Sequence, residues 1–126
     1  MWSSPIDYVF SCPDGEPRYL RVHTGRGSGA LGTDIFNLRW RKPSFVVNRA
    51  DSGRITKRPS NFDEMVDCAR RLSRGWPFVR VDLFGAEGRT IFGEMSWHPG
   101  AGTKVFTPES YDRYWGDQLR LPAPQW

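Results

Sequence analysis

The sequence predicts an α+β fold in which an antiparallel β-sheet packs against two helices. Three observations support this class: short β-prone runs separated by turn residues come first, an amphipathic helix follows, and a hairpin with a second helix completes the chain. The 126 residues suit one domain with a modest core, and 38% hydrophobic and 14% aromatic residues are typical of a globular chain. We therefore treat residues 1–126 as a single domain.

Short strands are predicted at residues 8–10, 18–22, 35–40 and 45–47. The pair Asp14-Gly15 lies between the first two of these runs and is a strong hairpin signal. Residues 24–33 contain four glycines and predict a flexible loop. Residues 48–60 are predicted to form a polar connector that leads to the first helix.

The first helix is predicted from its cap, its apolar face and its stop signals. Asn61 is placed to cap the helix, and Glu64, three residues later, is placed to complete a capping box. Gly75 and Pro77 end the helix. The apolar side chains at helical spacing are Phe62, Met65, Val66, Ala69 and Leu72.

A second helix is predicted near the end of the chain. It begins with Thr107 as the cap and Pro108 at the first helical position, where proline is favoured. Its predicted apolar side consists of Tyr111, Trp115 and Leu119. The run Pro-Ala-Pro at residues 122–124 ends the predicted fold.

Between the two helices, residues 78–84 and the run from residue 91 to a Pro-Gly turn predict a hairpin with acidic side chains in apolar strands. Alternation places Arg80 and Asp82 on one face of the sheet. Whether Glu94 shares that face depends on the turn. A three-residue connection using Gly88 places both carboxylates on the same side, whereas a two-residue turn at residues 86–87 places them on opposite sides.

If the faces agree, Asp82, Glu94 and the Ser96 hydroxyl form a cluster of oxygen ligands. Such a set suits Mg²⁺ or Mn²⁺ rather than zinc, and magnesium held by two carboxylates usually completes its shell with water and substrate phosphates. Arg80 would then lie close to the negative charge of a transferring phosphoryl group. The alternative is that Arg80 forms an ordinary ion pair with Asp82 or Glu94 on a solvated sheet face.

The charge balance favours anionic partners. Eighteen Lys and Arg against fourteen Asp and Glu give a net charge of +4, which suits nucleotides, phosphates or acidic sugars. The arginines form no stripe, so nucleic acid is not expected. The sequence shows no signal peptide and no membrane span. Cys12 and Cys68 lack metal-type spacing, and we expect two reduced thiols in a cytoplasmic protein.

The run Arg80-Val81-Asp82, followed by Glu94-Met95-Ser96-Trp97-His98-Pro99-Gly100, resembles the C-terminal signature of ATP-grasp ligases. The runs at residues 76–82, 93–102 and 108–117 are similar to the teichuronopeptide-biosynthesis branch, the TupA-like ATP-grasp proteins. The resemblance spans roughly residues 5–122, nearly the whole chain.

This resemblance implies an enzyme that binds MgATP and joins a carboxylate to an amine through an acyl phosphate, in cell-surface polysaccharide synthesis. It implies that Asp82 and Glu94 bind magnesium, with Ser96 where many relatives have Asn, and that Arg80 stabilises the transferring phosphoryl group. The resemblance further implies that the acceptor pocket contains His98, Gly100, Gly102 and Lys104.

The sequence also departs from the ATP-grasp pattern in some respects. The upstream half that clamps ATP in ATP-grasp enzymes has no counterpart in the sequence, so we expect a C-terminal subdomain. Its origin is a truncated gene, a misplaced start or a split enzyme whose other half is a partner chain. Val9 stands where many relatives have Lys. The expected substrates are an acidic polysaccharide and an amino acid, and the branch is often associated with glycosyltransferase genes. The alternative is a non-catalytic remnant or a module that binds acidic sugars, for which Trp76 and Trp97 are candidate stacking residues.

Overall fold

The computed structural model describes residues 6–25, 32–44, 46–47, 53, 56–97, 106–107, 110, 114 and 117. Seven strands and one α-helix have both ends within these residues. In chain order they are β1 (Ile6–Pro13), β2 (Tyr19–Thr24), β3 (Gly32–Asn37), β4 (Val46–Val47), α1 (Phe62–Ser73), β5 (Phe78–Ala86), β6 (Arg89–Ser96) and β7 (Phe106–Thr107).

Five of the strands form one antiparallel sheet in the order β3-β2-β1-β5-β6, and β4 pairs with β7 in a separate two-stranded sheet. Helix α1 packs against β1 and β5, which are adjacent inner strands of the five-stranded sheet. The α+β class predicted from the sequence is thereby confirmed. No helix within the described residues is long and apolar enough to cross a membrane.

The first hairpin forms where the sequence predicts it. Asp14 and Gly15 both have positive φ values, 53° and 73°, and the Glu16 amide donates to the Pro13 carbonyl oxygen at 3.1 Å. Two consecutive positive φ angles match the right-handed twist of the paired strands, which is why Asp-Gly suits this turn.

The strand predicted at residues 35–40 is wrong at its end. Strand β3 stops at Asn37, whose side-chain oxygen accepts hydrogen bonds from the backbone amides of Arg39 and Arg41 at 2.9 and 3.0 Å. Trp40 then takes a φ of 60°, and its ring stacks on Phe36 with a centroid distance of 4.2 Å. An asparagine that bonds the following backbone in this way favours a turn over a continued strand.

The hydrophobic core lies between the sheet and α1. Alternate residues of the strands point towards the helix, which itself contributes Phe62, Met65 and Ala69, all fully buried. From the three central strands the core receives Tyr8, Phe10, Cys12, Leu20, Val22, Val79, Val81 and Leu83. The intervening residues therefore point to the other face of the sheet, which we call the distal face.

Helix α1 confirms the predicted apolar face but not the predicted capping box. Asn61 stands at the N-cap position without a side-chain cap hydrogen bond. Its amide nitrogen instead donates to the Thr90 hydroxyl at 2.8 Å, so the side chain joins the start of the helix to β6. The predicted second helix lies mostly outside the described residues, of which Ser110 and Tyr114 are helical.

Neither Cys12 nor Cys68 forms a disulfide, and Cys12 is fully buried. Burial raises the pKa of the Cys12 thiol from 9.0 to about 12, although a hydrogen bond with Ser73 opposes the rise. The native protein thus keeps a proton that the unfolded chain releases above pH 9, so stability falls as pH rises through this window.

We expect the free energy of unfolding to fall by about 1.4 kcal/mol per pH unit above pH 9 because of this thiol. Urea denaturation at about pH 8 and about pH 10.5 measures the change, and Cys12→Ala serves as the reference. The variant should lose roughly 2 kcal/mol less than the wild type over this interval. Equal losses in both proteins would contradict the expectation.

Candidate functional site

The hairpin of β5 and β6 brings Asp82 and Glu94 together through a two-residue turn and a β-bulge. Glu87 and Gly88 form the turn, with φ values of 53° and 74°, and Ala86 pairs with Arg89. Without a bulge this turn would pair Asp82 with Gly93 and send Glu94 to the other face. The register shifts between Asp82 and Leu83, so that Asp82 pairs directly with Glu94.

Gly93 is the residue that the bulge leaves over, and the space around it explains why it is a glycine. A Cβ atom at this position would lie 2.6 Å from Phe84 Cε2 and 2.9 Å from the Asp82 carbonyl oxygen. Both distances are shorter than any side chain tolerates. The bulge therefore depends on Gly93, and the shared face of the two carboxylates depends on the bulge.

The two carboxylates end a row of side chains that crosses the sheet on its distal face. Arg21 pairs with Val9, Val9 pairs with Asp82, and Asp82 pairs with Glu94. We call these four residues the site row. In the neighbouring row, Arg80 pairs with Ser96, so all the predicted ligands and the predicted catalytic arginine within the described residues face the same side.

Arg80 joins the two carboxylates through three hydrogen bonds. Its Nε and Nη2 donate to the two oxygens of Asp82 at 2.8 and 3.0 Å, and Nη2 also donates to Glu94 Oε1 at 2.7 Å. The Arg80 and Asp82 side chains are each 17% exposed, whereas Glu94 is 64% exposed. Arg80 and Asp82 therefore form a partly buried, bidentate ion pair, and Glu94 is the most exposed of the three side chains.

The protonation equilibrium of Asp82 reflects this crowding. Burial raises the pKa of the Asp82 carboxyl, the positive charge of Arg80 opposes the rise, and the neighbouring Glu94 carboxylate adds to it. A carboxyl whose pKa is raised by burial and by a neighbouring carboxylate lies where an added cation is stabilised. The residues present thus fit a divalent metal ion.

The donor set also fits a metal shared with a ligand rather than a closed protein cage. No group of three or more His, Cys, Asp or Glu side chains suited to a metal occurs within the part of the chain that the structure describes. Two carboxylates and a hydroxyl leave coordination positions for water and phosphate oxygens, which is how Mg²⁺ is usually held. Each carboxylate has lone pairs beyond those that Arg80 uses.

A pocket of about 360 Å³ lies over this part of the distal face. Besides the predicted residues, it is lined by three polar side chains from β1 and β2 that were not among the predicted site residues: Asp7, Arg21 and His23. His23 Nδ1 lies 3.0 Å from the Thr33 hydroxyl. Alternation along β2 places Arg21 and His23 on one face, but only the sheet order, with β1 between β2 and β5, shows that this face is that of Asp82.

The predicted acceptor pocket lies outside the described residues, which do not include His98, Gly100, Gly102 or Lys104.

Trp76 and Trp97 form an edge-to-face pair with ring centroids 5.1 Å apart, and they are 45% and 43% exposed. These rings contact each other across the open end of the β5–β6 hairpin.

A protein-family model described as TupA-like ATPgrasp matches residues 4–120, which is nearly the whole chain. No curated protein and no solved structure matches the sequence.

Proposed function

Because the chain belongs to the TupA-like ATP-grasp family, we propose that it carries the metal-binding part of an ATP-dependent ligase that joins a carboxylate to an amine. The observation that carries this proposal is the bulge-dependent pairing of Asp82 with Glu94 beside Arg80. β-Bulges occur at sheet edges and beside active sites, where they redirect a side chain, and this bulge places Glu94 on the face of Asp82.

In such a ligase a carboxylate oxygen of one substrate attacks the γ-phosphorus of ATP and ADP leaves. The amine then attacks the acyl carbon, loses a proton and releases inorganic phosphate. The barrier to phosphoryl transfer is lowered mainly by positioning and by positive charge around the phosphoryl oxygens. The proposed residues supply both of these.

We assign the roles as follows. Asp82 and Glu94 would hold Mg²⁺, with the Ser96 hydroxyl as a weaker third oxygen, and the metal when bound would neutralise the phosphate oxygens. Arg80 donates hydrogen bonds to both carboxylates, which would hold its guanidinium beside the phosphoryl group when ATP is bound. His98, Gly100, Gly102 and Lys104 are proposed to shape the acceptor pocket, and the acceptor is proposed to belong to a cell-surface polysaccharide.

A second candidate is a non-catalytic module that binds acidic sugar. The exposed pair of Trp76 and Trp97 favours it, because aromatic faces stack on sugar rings and an arginine-containing pocket attracts their carboxylates. The two candidates differ in metal dependence, since stacking on a sugar needs no magnesium.

Calorimetric titration of the purified chain with ATP, in magnesium and in EDTA, tests the proposal. We expect binding in magnesium that weakens at least about tenfold in EDTA, and a similar loss in both Asp82→Asn and Glu94→Gln. Asp67→Asn is the matched control, because Asp67 lies on the exposed side of α1 and pairs only with Arg71 among the described contacts.

ATP binding that is equally strong in EDTA, or retained in both variants, would overturn the proposed metal site. Binding of a uronic acid polymer without magnesium, together with no binding of ATP, would favour the sugar-binding module. Circular dichroism of each variant shows whether a lost signal reflects lost fold instead of a lost ligand.

A further inference from the structure

Arg21 lies in the site row but belongs to the other hairpin. It pairs with Val9 in β1, and Val9 pairs with Asp82 in β5. Only Val9, which has a short side chain, therefore stands between Arg21 and Asp82 in the site row. Arg21 also lines the same 360 Å³ pocket as Arg80, Asp82 and Glu94.

The bonding of Arg21 differs sharply from that of Arg80. Arg80 makes three charge-assisted hydrogen bonds. Within the described residues, by contrast, no hydrogen bond or ion pair joins Arg21 to another side chain. It interacts electrostatically with Tyr19, Arg80 and Asp82. Arg21 therefore lies near the pair of Arg80 and Asp82 without a hydrogen bond to either residue.

The environment of Arg21 makes this lack of bonding costly. The residue is half-buried, and burial lowers the pKa of its guanidinium. The charge of Arg80 adds to this effect, whereas Tyr19 and Asp82 oppose it. A guanidinium stays charged in proteins and offers five N–H donors in a planar fork. A partly desolvated cation with unused donors is destabilising in the free protein, and a bound anion would offset that cost.

The charges of the surrounding groups indicate which ligand would do so. Arg80 donates three hydrogen bonds to Asp82 and Glu94, whereas the N–H donors of Arg21 bond no other side chain within the described residues and remain available to an incoming oxyanion. Planar oxygen pairs of a carboxylate or a phosphate match the fork of arginine in two parallel hydrogen bonds.

We propose that Arg21 is an oxyanion-binding residue of this site, which holds the carboxylate or phosphate oxygens of a substrate on the β2 side of the Asp82–Glu94 pair. The proposal rests on the proposed function for its substrate class. It places a binding group on β2, a strand that contributes no residue to the predicted metal site.

Titrations in EDTA test this proposal apart from the metal site. The probes are tripolyphosphate, which carries the phosphate oxygens of a nucleotide, and glutarate, which carries carboxylates alone. We expect Arg21→Gln to weaken binding of the preferred anion by about tenfold to a hundredfold, and Arg21→Lys to restore part of the loss. The exposed helix residue Arg71 supplies the control Arg71→Gln, which should bind as the wild type does.

The two probes separate the two sources of the oxyanion. Preference for tripolyphosphate assigns Arg21 to the nucleotide, and preference for glutarate assigns it to the substrate carboxylate. Binding of both anions that is unchanged in Arg21→Gln, or no binding of either anion to the wild type, would overturn the proposal. Failure of the metal-dependent ATP titration with a positive result here would remove the ligase but keep the anion site.

A thermal melt provides the second readout. If Arg21 served only the fold, Arg21→Gln would lower the melting temperature. If Arg21 instead serves a ligand and lowers the stability of the free protein, the Arg21→Gln variant should have an unchanged or raised melting temperature. A clear decrease in melting temperature would contradict the assignment.

Discussion

Replacing Gly93 with alanine is expected to abolish metal-dependent ATP binding although it removes no functional group. The added Cβ would lie 2.9 Å from the backbone oxygen of Asp82, which cannot move without disturbing β5. The strand relieves this contact by giving up the bulge, and the two-residue turn then pairs Asp82 with the alanine. Glu94 turns to the face of α1, and the two carboxylates separate.

The same substitution should lower the free energy of unfolding by about 1–3 kcal/mol, the usual cost of an overpacked position. Denaturant unfolding measures this loss, and cross-strand NOE contacts between Asp82 and Glu94 report the register independently of any ligand. The control is Gly88→Ala, at a φ of 74° with no neighbouring atom within 4 Å of the new methyl group. It should cost about 1 kcal/mol through backbone strain and leave the site row intact.

Gly93→Ala protein that keeps the NOE contacts between Asp82 and Glu94 would show that the bulge does not depend on this glycine. Loss of those contacts with ATP binding retained would show instead that the paired carboxylates are not the metal site. The two readouts thus separate the structural claim from the functional one.

Phe62→Ala is expected to cause the largest loss of stability. Phe62 is the first residue of α1 and is fully buried. Its ring lies 6.1 Å from that of Phe10 and 5.1 Å from that of Trp40, and the Arg58 guanidinium lies 5.1 Å from its centroid. The ring thus joins the helix, the central strand and the turn after β3.

Truncating a buried phenylalanine costs about 3–5 kcal/mol, a large share of the 5–15 kcal/mol that typically stabilises a domain. We expect the melting temperature to fall by roughly 10–20 °C. Phe92→Ala is the matched control, because Phe92 is 55% exposed on the edge strand β6, and it should cost less than about 1 kcal/mol. Similar losses in the two variants would mean that Phe62 is not a centre of the core.

The features that the sequence predicted well are those that local chemistry decides. The turn at Asp14-Gly15 follows from two residues that accept positive φ, and the buried face of α1 follows from helical spacing. The predicted end of the third strand and the predicted capping box were wrong because the side chains of Asn37 and Asn61 can each form hydrogen bonds with more than one group. Asn37 bonds its own following turn, whereas Asn61 bonds Thr90, which no local pattern indicates.

The candidate site was predictable only in part for the same reason. The residue types of Arg80, Asp82 and Glu94 and their alternation indicated the chemistry. Their common face depended on a bulge for which a glycine inside a strand, Gly93, was the available signal. Arg21 could not be assigned to the site, since its neighbour across the sheet is set by the order of strands that are distant in sequence.

That order of strands has a consequence for how the protein loses its site. The pairing of β1 with β5 joins residues 6–13 to residues 78–85, whereas β1–β2 and β5–β6 are hairpins whose strands follow one another directly. Arg21 and Val9 belong to the first hairpin, and Asp82 and Glu94 to the second. The site row therefore crosses the boundary between two hairpins that are far apart in the chain, and forming it carries the entropic cost of closing the long loop between them. Loss of the β1–β5 pairing alone would separate Arg21 and Val9 from Asp82 and Glu94, so the site depends on the contact in the sheet that spans the longest stretch of chain.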